Sequence, residues 1–258
     1  MRHTLSHILP AGLALAALAG LGLLVHDEAA LTAFDRTLSD GIIALRNPPL
    51  DWGVVLITLF GDGTALTMIA VAVVVTLLVR RAWWPAGICA AAFSLTPLIV
   101  KAVKLTVARA RPTADLYAGV ESFSFPSGHM TNSMVIYGAL AIFAVHALTG
   151  LRQRLAVGGF ILLITLMGLS RIYLGAHWPS DVIGAVLLAS VMLFLIAWGF
   201  DQMPGRARFA RPYGVVIAVM LAIWTVYAVV TIEAAMDLYA VDVSPEGTIE
   251  LDADAVRN

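Results

Sequence analysis

This sequence predicts an all-α fold, a polytopic transmembrane helix bundle, on three observations. Of 258 residues, 60% are hydrophobic and only 13% charged, whereas a soluble domain is nearer half apolar and a quarter charged. About seven runs approach the roughly 20 apolar residues that a spanning helix needs. The polar residues that remain gather at the ends of those runs. A net charge of −1 says little as a total. The single cysteine, Cys89, lies inside an apolar run, which excludes an intrachain disulfide and a cysteine metal site. No basic stretch is dense enough for a nucleic-acid partner.

The first run, Leu9 to Val25, follows Arg2 and reads as an anchor or as a signal peptide. In either case the next loop lies outside. Asp27 to Asp51 is polar, and Ile42, Ile43 and Leu45 within it suggest a short helix along the interface. The second span, Trp52 to Val79, is interrupted by Phe60-Gly61-Asp62-Gly63. An ionisable Asp62 at membrane depth is a functional hint, but capping a broken helix is the simpler account and is preferred. The third span runs from Trp83 to about Val103, the fourth from Met130 to Leu148, and the fifth from Leu155 to Leu169. The sixth covers about Val182 to Phe200 and the seventh Tyr213 to Ile232. Residues 1–232 therefore form one integral-membrane domain, and 233–258 form an acidic polar tail with no assigned fold.

With the N-terminus inside, Arg2, Arg80, Arg81, Arg152, Arg154, Arg206, Arg208 and Arg211 fall in inside segments, mostly short connectors. That placement obeys the positive-inside rule. It leaves three polar clusters together on the outer face: Lys104 to Pro112, Pro126-Ser127-Gly128-His129, and Ser170 to Asp181.

Lys104 and Arg111 are close to two helical turns apart and share a face. Pro112 disfavours helix at Arg111, which can therefore turn inward. Arg109 points about 140° from Lys104 on the same wheel, so it is not expected to bind the anion. Arg109→Ala is accordingly expected to be milder than Arg111→Ala. Lys101 is either a deep ligand or a snorkelling lysine. Pro126 suits the first turn of a helix, which would aim the N–H groups of Ser127 and Gly128 at an anion. His129 can move a proton near neutral pH. Arg171 adds a planar fork matched to phosphate oxygens. His177 and Asp181, four residues apart, have the base–orienter logic of a triad applied to a histidine nucleophile.

Lys-x6-Arg-Pro, Pro-Ser-Gly-His and Ser-Arg-x5-His-x3-Asp occur in that order and without a substitution over Lys104 to Asp181. In this the chain resembles the type 2 phosphatidic acid phosphatases, which share their site with vanadium haloperoxidases. The resemblance implies that Lys104, Arg111 and Arg171 bind phosphate with Ser127 and Gly128. It implies further that His177 attacks phosphorus, that Asp181 orients it, and that His129 protonates the leaving oxygen. It implies a six-span core, from which the seventh, C-terminal run departs. No carboxylate cluster resembles a two-metal site, so neither metal nor cofactor is expected. The substrate would be a lipid phosphate held in the bilayer. Undecaprenyl diphosphate, phosphatidylglycerophosphate and phosphatidic acid suit the residues equally. Lipid-to-lipid phosphotransfer is the alternative chemistry. Transport is the non-enzymatic one, although it predicts ionisable residues at mid-membrane in several spans.

Overall fold

The computed structural model describes residues 2–26, 29–112, 119–202, 210–239, 241–243 and 249–251. The helices are α1 (Arg2–His26), α2 (Ala29–Ile43), α3 (Pro48–Leu59), α4 (Gly63–Val79), α5 (Trp83–Val107), α6 (Gly128–Ala147), α7 (Gly150–Tyr173), α8 (Pro179–Asp201) and α9 (Ala210–Leu238). A short 3₁₀ turn covers Gly119–Ser122, and an antiparallel ribbon pairs β1 (Val241–Val243) with β2 (Ile249–Leu251). Asp27, Arg206, Arg208 and Arg257 lie outside the described residues, as does the loop 113–118.

Among the described residues, six helices are long and apolar enough to span: α1, α5, α6, α7, α8 and α9. Helices α2 and α3 meet at 119° and are apolar enough to count as a span only as a bent pair, while α4 is a shorter apolar helix. Local chemistry sets these breaks. Asn47 caps α3 by accepting from Leu50 N at 3.1 Å, with Pro48 in the first turn. Asp62 caps α4, accepting from Thr64 N at 2.8 Å and Ala65 N at 3.3 Å, and Tyr227 Oη lies 2.5 Å away on α9. Asp62 is thus a helix cap, as expected. The short helix expected around Ile42, Ile43 and Leu45 is α2, which starts earlier, at Ala29, and ends at Ile43, before Leu45.

The fourth span, α6, is the central element: 67% of its apolar window is buried, against 33% or less for the other five. Tyr137, Leu140 and Phe143 on α6 pack with Ile69 and Leu77 of α4 and with Ala189 and Phe200 of α8. Apolar area removed from water or lipid contact here fixes the mutual height of the helices. The seventh run is no appendage: α9 packs along α4 and continues past Ile232 to Leu238.

Chain direction then places the ends. The end of α5, the start of α6, the end of α7 and the start of α8 meet at one face. At the other face Trp84 Nε1 donates to Gly199 O at 2.9 Å, and His7 Nε2 lies 2.9 Å from Asp201 Oδ2. The start of α1 therefore lies on the face opposite the motif residues.

Candidate active site

Ala108 adopts a left-handed conformation (φ 51°) and stops α5. Lys104 stays on the helix while Arg109 and Arg111 leave it and fold back. Lys104 is fully buried; its Nζ donates to Phe123 O at 2.5 Å and lies 3.3 Å from Glu121 Oε2. Arg111 donates through Nε and Nη2 to Glu121 O, at 2.8 and 2.6 Å, and through Nη1 to Ala176 O at 2.6 Å. Carbonyls around the 3₁₀ turn thus hold two cations side by side.

The second motif is arranged differently from expectation. Pro126, after a cis bond from Phe125, precedes the helix, and Ser127 is the N-cap with Gly128 the first helical residue. Ser127 Oγ accepts from Met130 N at 3.4 Å, and its own N–H donates to Asp181 O at 3.2 Å. Ser127 therefore ties the second motif to the third, and its amide does not point at an anion. The anion-facing dipole of α6 begins one residue later, at Gly128. A Cβ on Gly128 would reach within 3.9 Å of Lys104 Cε, so backbone and cation are close neighbours. His129 is half-buried, within Coulombic reach of Arg171, His177, Arg111 and Lys104.

His177 lies in the turn between α7 and α8 and is 1% exposed. Arg111 Nη1 sits 3.1 Å from its Nε2. A guanidinium only donates, so Nε2 is the acceptor and the ring proton belongs on Nδ1. That atom faces Asp181 Oδ2 at 3.5 Å, an ion-pair contact longer than a hydrogen bond. Burial first, then the charges of Arg111, Arg171 and Lys104, push the His177 pKa well below the usual imidazole range. Its neutral form has a lone pair on Nε2, beside the cation that would hold a phosphoryl oxygen. Arg171, also fully buried, donates from Nη1 to Thr58 Oγ1 at 2.6 Å and to Tyr239 Oη at 3.0 Å. Neither Thr58 nor Tyr239 belongs to a motif.

Arg109 was expected to point away. With the helix ended at Ala108 the wheel no longer applies, and its guanidinium enters the site's outer layer. Nη1 is 2.6 Å from Asp181 Oδ1 and Nη2 is 2.6 Å from Asp35 Oδ2, with the plane 5.6 Å from the Trp178 ring. It contacts carboxylates, not the phosphate cradle. Asp35 carried no signal of its own in the sequence: it is one acidic residue in a polar loop. Lys101 is exposed and lines the rim of a groove of about 730 Å³ between α4, α5 and α6. Leu66, Val71, Val74 and Phe93 line the groove's apolar length, and Gly128, His129 and Asn132 its polar end. Among the described residues no group of three or more His, Cys, Asp or Glu could hold a metal ion.

The chain is similar to known proteins. Residues 85–204 match the model of the PAP2 superfamily. Phosphatidylglycerophosphatase B of Bacillus subtilis (strain 168) is 31% identical over 186 residues, which is 71% of this chain and 91% of that protein. The lipid A 1-phosphatase of Rhizobium johnstonii is 34% identical over 115 residues, but the chain spans only 43% of its length. The crystal structure of a transmembrane PAP2-type phosphatidylglycerolphosphate phosphatase from Bacillus subtilis superposes with a TM-score of 0.65 at 29% identity, covering 78% of this chain and 97% of that one. With the three motifs at one end of a helix bundle that a solved relative shares, the chain belongs to the PAP2 superfamily and is a membrane-embedded phosphatase acting on phosphoric esters.

Proposed function

We propose that the protein hydrolyses a lipid phosphomonoester or diphosphate through a phosphohistidine intermediate on the outer membrane face. One observation carries this reading: the acceptor nitrogen of His177 lies 3.1 Å from Arg111 Nη1. A phosphoryl oxygen that takes over the Arg111 Nη1 contact from His177 frees the Nε2 lone pair and brings phosphorus next to it. Lys104 and Arg171 neutralise the remaining equatorial charge, in a buried setting where such interactions are strongest. His177 forms the P–N bond as the ester oxygen leaves with a proton from His129. Water, deprotonated by His129, then displaces His177 and releases phosphate. Three fixed cations supply the charge that a metal would, so the reaction is metal-independent.

The groove supports a lipid substrate. Its polar end at His129 is where the leaving alcohol would emerge, and its apolar length suits a chain lying between α4 and α5. The names of the Bacillus and Rhizobium relatives favour a phospholipid or lipid A phosphate over a soluble ester. Arg80, Arg81, Arg152 and Arg154 are exposed at the end opposite the site. By the positive-inside rule that end faces the cytoplasm.

The test is a substrate panel on purified protein in detergent, comparing undecaprenyl diphosphate, phosphatidylglycerophosphate and phosphatidic acid. Free phosphate should appear from at least one lipid, persist in EDTA and fall with vanadate. Loss of turnover on chelation would refute metal independence. Label passing to an acceptor lipid in place of water would establish phosphotransfer.

A further inference from the structure

We infer that Asp35, on helix α2, is a positioning residue for the reaction: through Arg109 and Ser180 it fixes Asp181, and Asp181 in turn fixes His177. The inference rests on His177 being the nucleophile. Asp35 lies outside the three motifs and outside the residues that match the family model.

The network is short-ranged and buried. Asp35 Oδ2 is 2.6 Å from Arg109 Nη2, and Arg109 Nη1 is 2.6 Å from Asp181 Oδ1 and 2.7 Å from Ser180 Oγ. Ser180 donates its N–H to Asp35 Oδ1 at 2.9 Å and its hydroxyl to Asp35 Oδ2 at 2.5 Å. Asp35 and Asp181 are 0% exposed and Ser180 is 1% exposed. A buried carboxylate without partners is costly, yet all four oxygens of Asp35 and Asp181 are engaged here, Asp181 Oδ2 by Trp178 N at 2.9 Å.

Two things follow from where the bonds go. The amide of Ser180 belongs to the first turn of α8, whose donors lack intrahelical partners. Asp35 satisfies it from a different helix and so pins the start of α8, on which Asp181 stands. Arg109 follows a left-handed residue and has no helix to hold it, so its fork depends on Asp35 and the Trp178 face for its direction. With Arg109 on Oδ1, the second oxygen of Asp181 is left facing His177 Nδ1.

Charge gives a second consequence. One guanidinium shared by two carboxylates leaves this network negative, opposite the cationic cradle. The groups facing His177 are Lys104 on α5, Arg111 after it, His129 on α6, Arg171 on α7 and Asp181 on α8, with Arg109 against the far oxygen of Asp181. Asp35 stands behind Arg109. Neutralising Asp35 makes this set more positive by one charge. The neutral imidazole is then favoured further, and a less basic imidazole is a poorer nucleophile.

The experiment compares wild type, Asp35→Asn, Asp35→Glu, Arg109→Lys and His177→Ala at full length in mixed micelles. The probe is whichever of phosphatidic acid, phosphatidylglycerophosphate and undecaprenyl diphosphate is turned over fastest. Asp35→Asn should lower kcat by about ten-fold or more while KM stays within about two-fold. The acid limb of its kcat/KM profile should move to lower pH, and Asp35→Glu should restore part of kcat. Wild-type kcat with an unmoved acid limb in Asp35→Asn overturns the inference, as does a rise in KM alone. If Asp35→Asn does not fold, Arg109→Lys decides, since a lysine keeps the charge but lacks the rigid planar fork that meets Asp35, Asp181 and Ser180 here. It should lose kcat at unchanged KM, and unchanged kcat overturns the proposal. Turnover by His177→Ala would remove the nucleophile assignment itself, an outcome separable from either variant.

Discussion

At His177, burial and three cations act in one direction, and both hold the imidazole neutral. An unperturbed histidine titrates near about 6.5. The acid limb of kcat/KM should therefore lie below that value, and a pH–rate profile breaking at or above it would contradict the assignment. Stability carries the same sign. The unfolded chain takes up this proton near pH ~6.5 while the folded one resists it. His177 therefore adds no pH dependence above both values, and a stability penalty grows as pH falls from the unfolded pKa towards the folded one. Arg109 is the residue where reasoning from spacing fails. The wheel assumed a helix through Arg109, but Ala108 turns left-handed and breaks it. The wheel no longer supports a milder Arg109→Ala, although Arg109 does stand off the phosphate cradle, on Asp35, Asp181 and Ser180. Removing this guanidinium strands Asp35 and Asp181, a loss of roughly 3–5 kcal/mol for a broken buried pair. Thermal unfolding in detergent should show Arg109→Ala well below Arg111→Ala in midpoint, and equal midpoints would refute the buried-network account.

The helices do their work at their ends. Phe125, fully buried beside the second motif, fits only because residue 184 of α8 is glycine: a Cβ there would come within 2.6 Å of Phe125 Cζ. A rigid ring cannot yield as a flexible side chain does. Gly184→Ala should therefore destabilise by about 1–3 kcal/mol and lower activity by displacing Pro126 and Ser127, while normal stability and kcat would show the contact to be dispensable. Helix α9 ends at the site as well, since Tyr239 holds Arg171 by hydroxyl and by ring face. Losing one such bond is worth about 0.5–1.5 kcal/mol, so Tyr239→Ala should raise KM several-fold with Thr58 still in place. An unchanged KM would show that α9 does not tune phosphate binding. The motif residues were legible because their spacing sits at helix ends that short-range rules place. Thr58, Tyr239 and Asp35 were not, because each comes from a segment with no motif and acquires its partner only through tertiary packing.

Across the whole molecule, among the described residues, α1, α5, α6, α7, α8 and α9 are each long and apolar enough to cross a membrane, and the bent pair α2–α3 and the shorter apolar α4 pack with them. The alternation places all three motifs on one face, a result the order of apolar runs already contained. What it could not contain was the depth of each span, because the break at Phe60–Asp62 is set by a cap and by Tyr227 from a distant helix. Cys89 is the one cysteine and is buried, so single cysteines at exposed Leu50 and Arg152 can report sidedness in intact cells. Leu50→Cys should label with an impermeant reagent and Arg152→Cys should not; the reverse pattern would invert the topology. The central claim is that residues scattered from Lys104 to Asp181 converge on one nucleophilic nitrogen. Its most direct measurement is rapid quenching of the enzyme with a lipid carrying radiolabelled phosphate, followed by peptide mapping. The account predicts an acid-labile, base-stable label on the peptide containing His177, absent from His177→Ala. Label on another residue, or full turnover with none at His177, would contradict it.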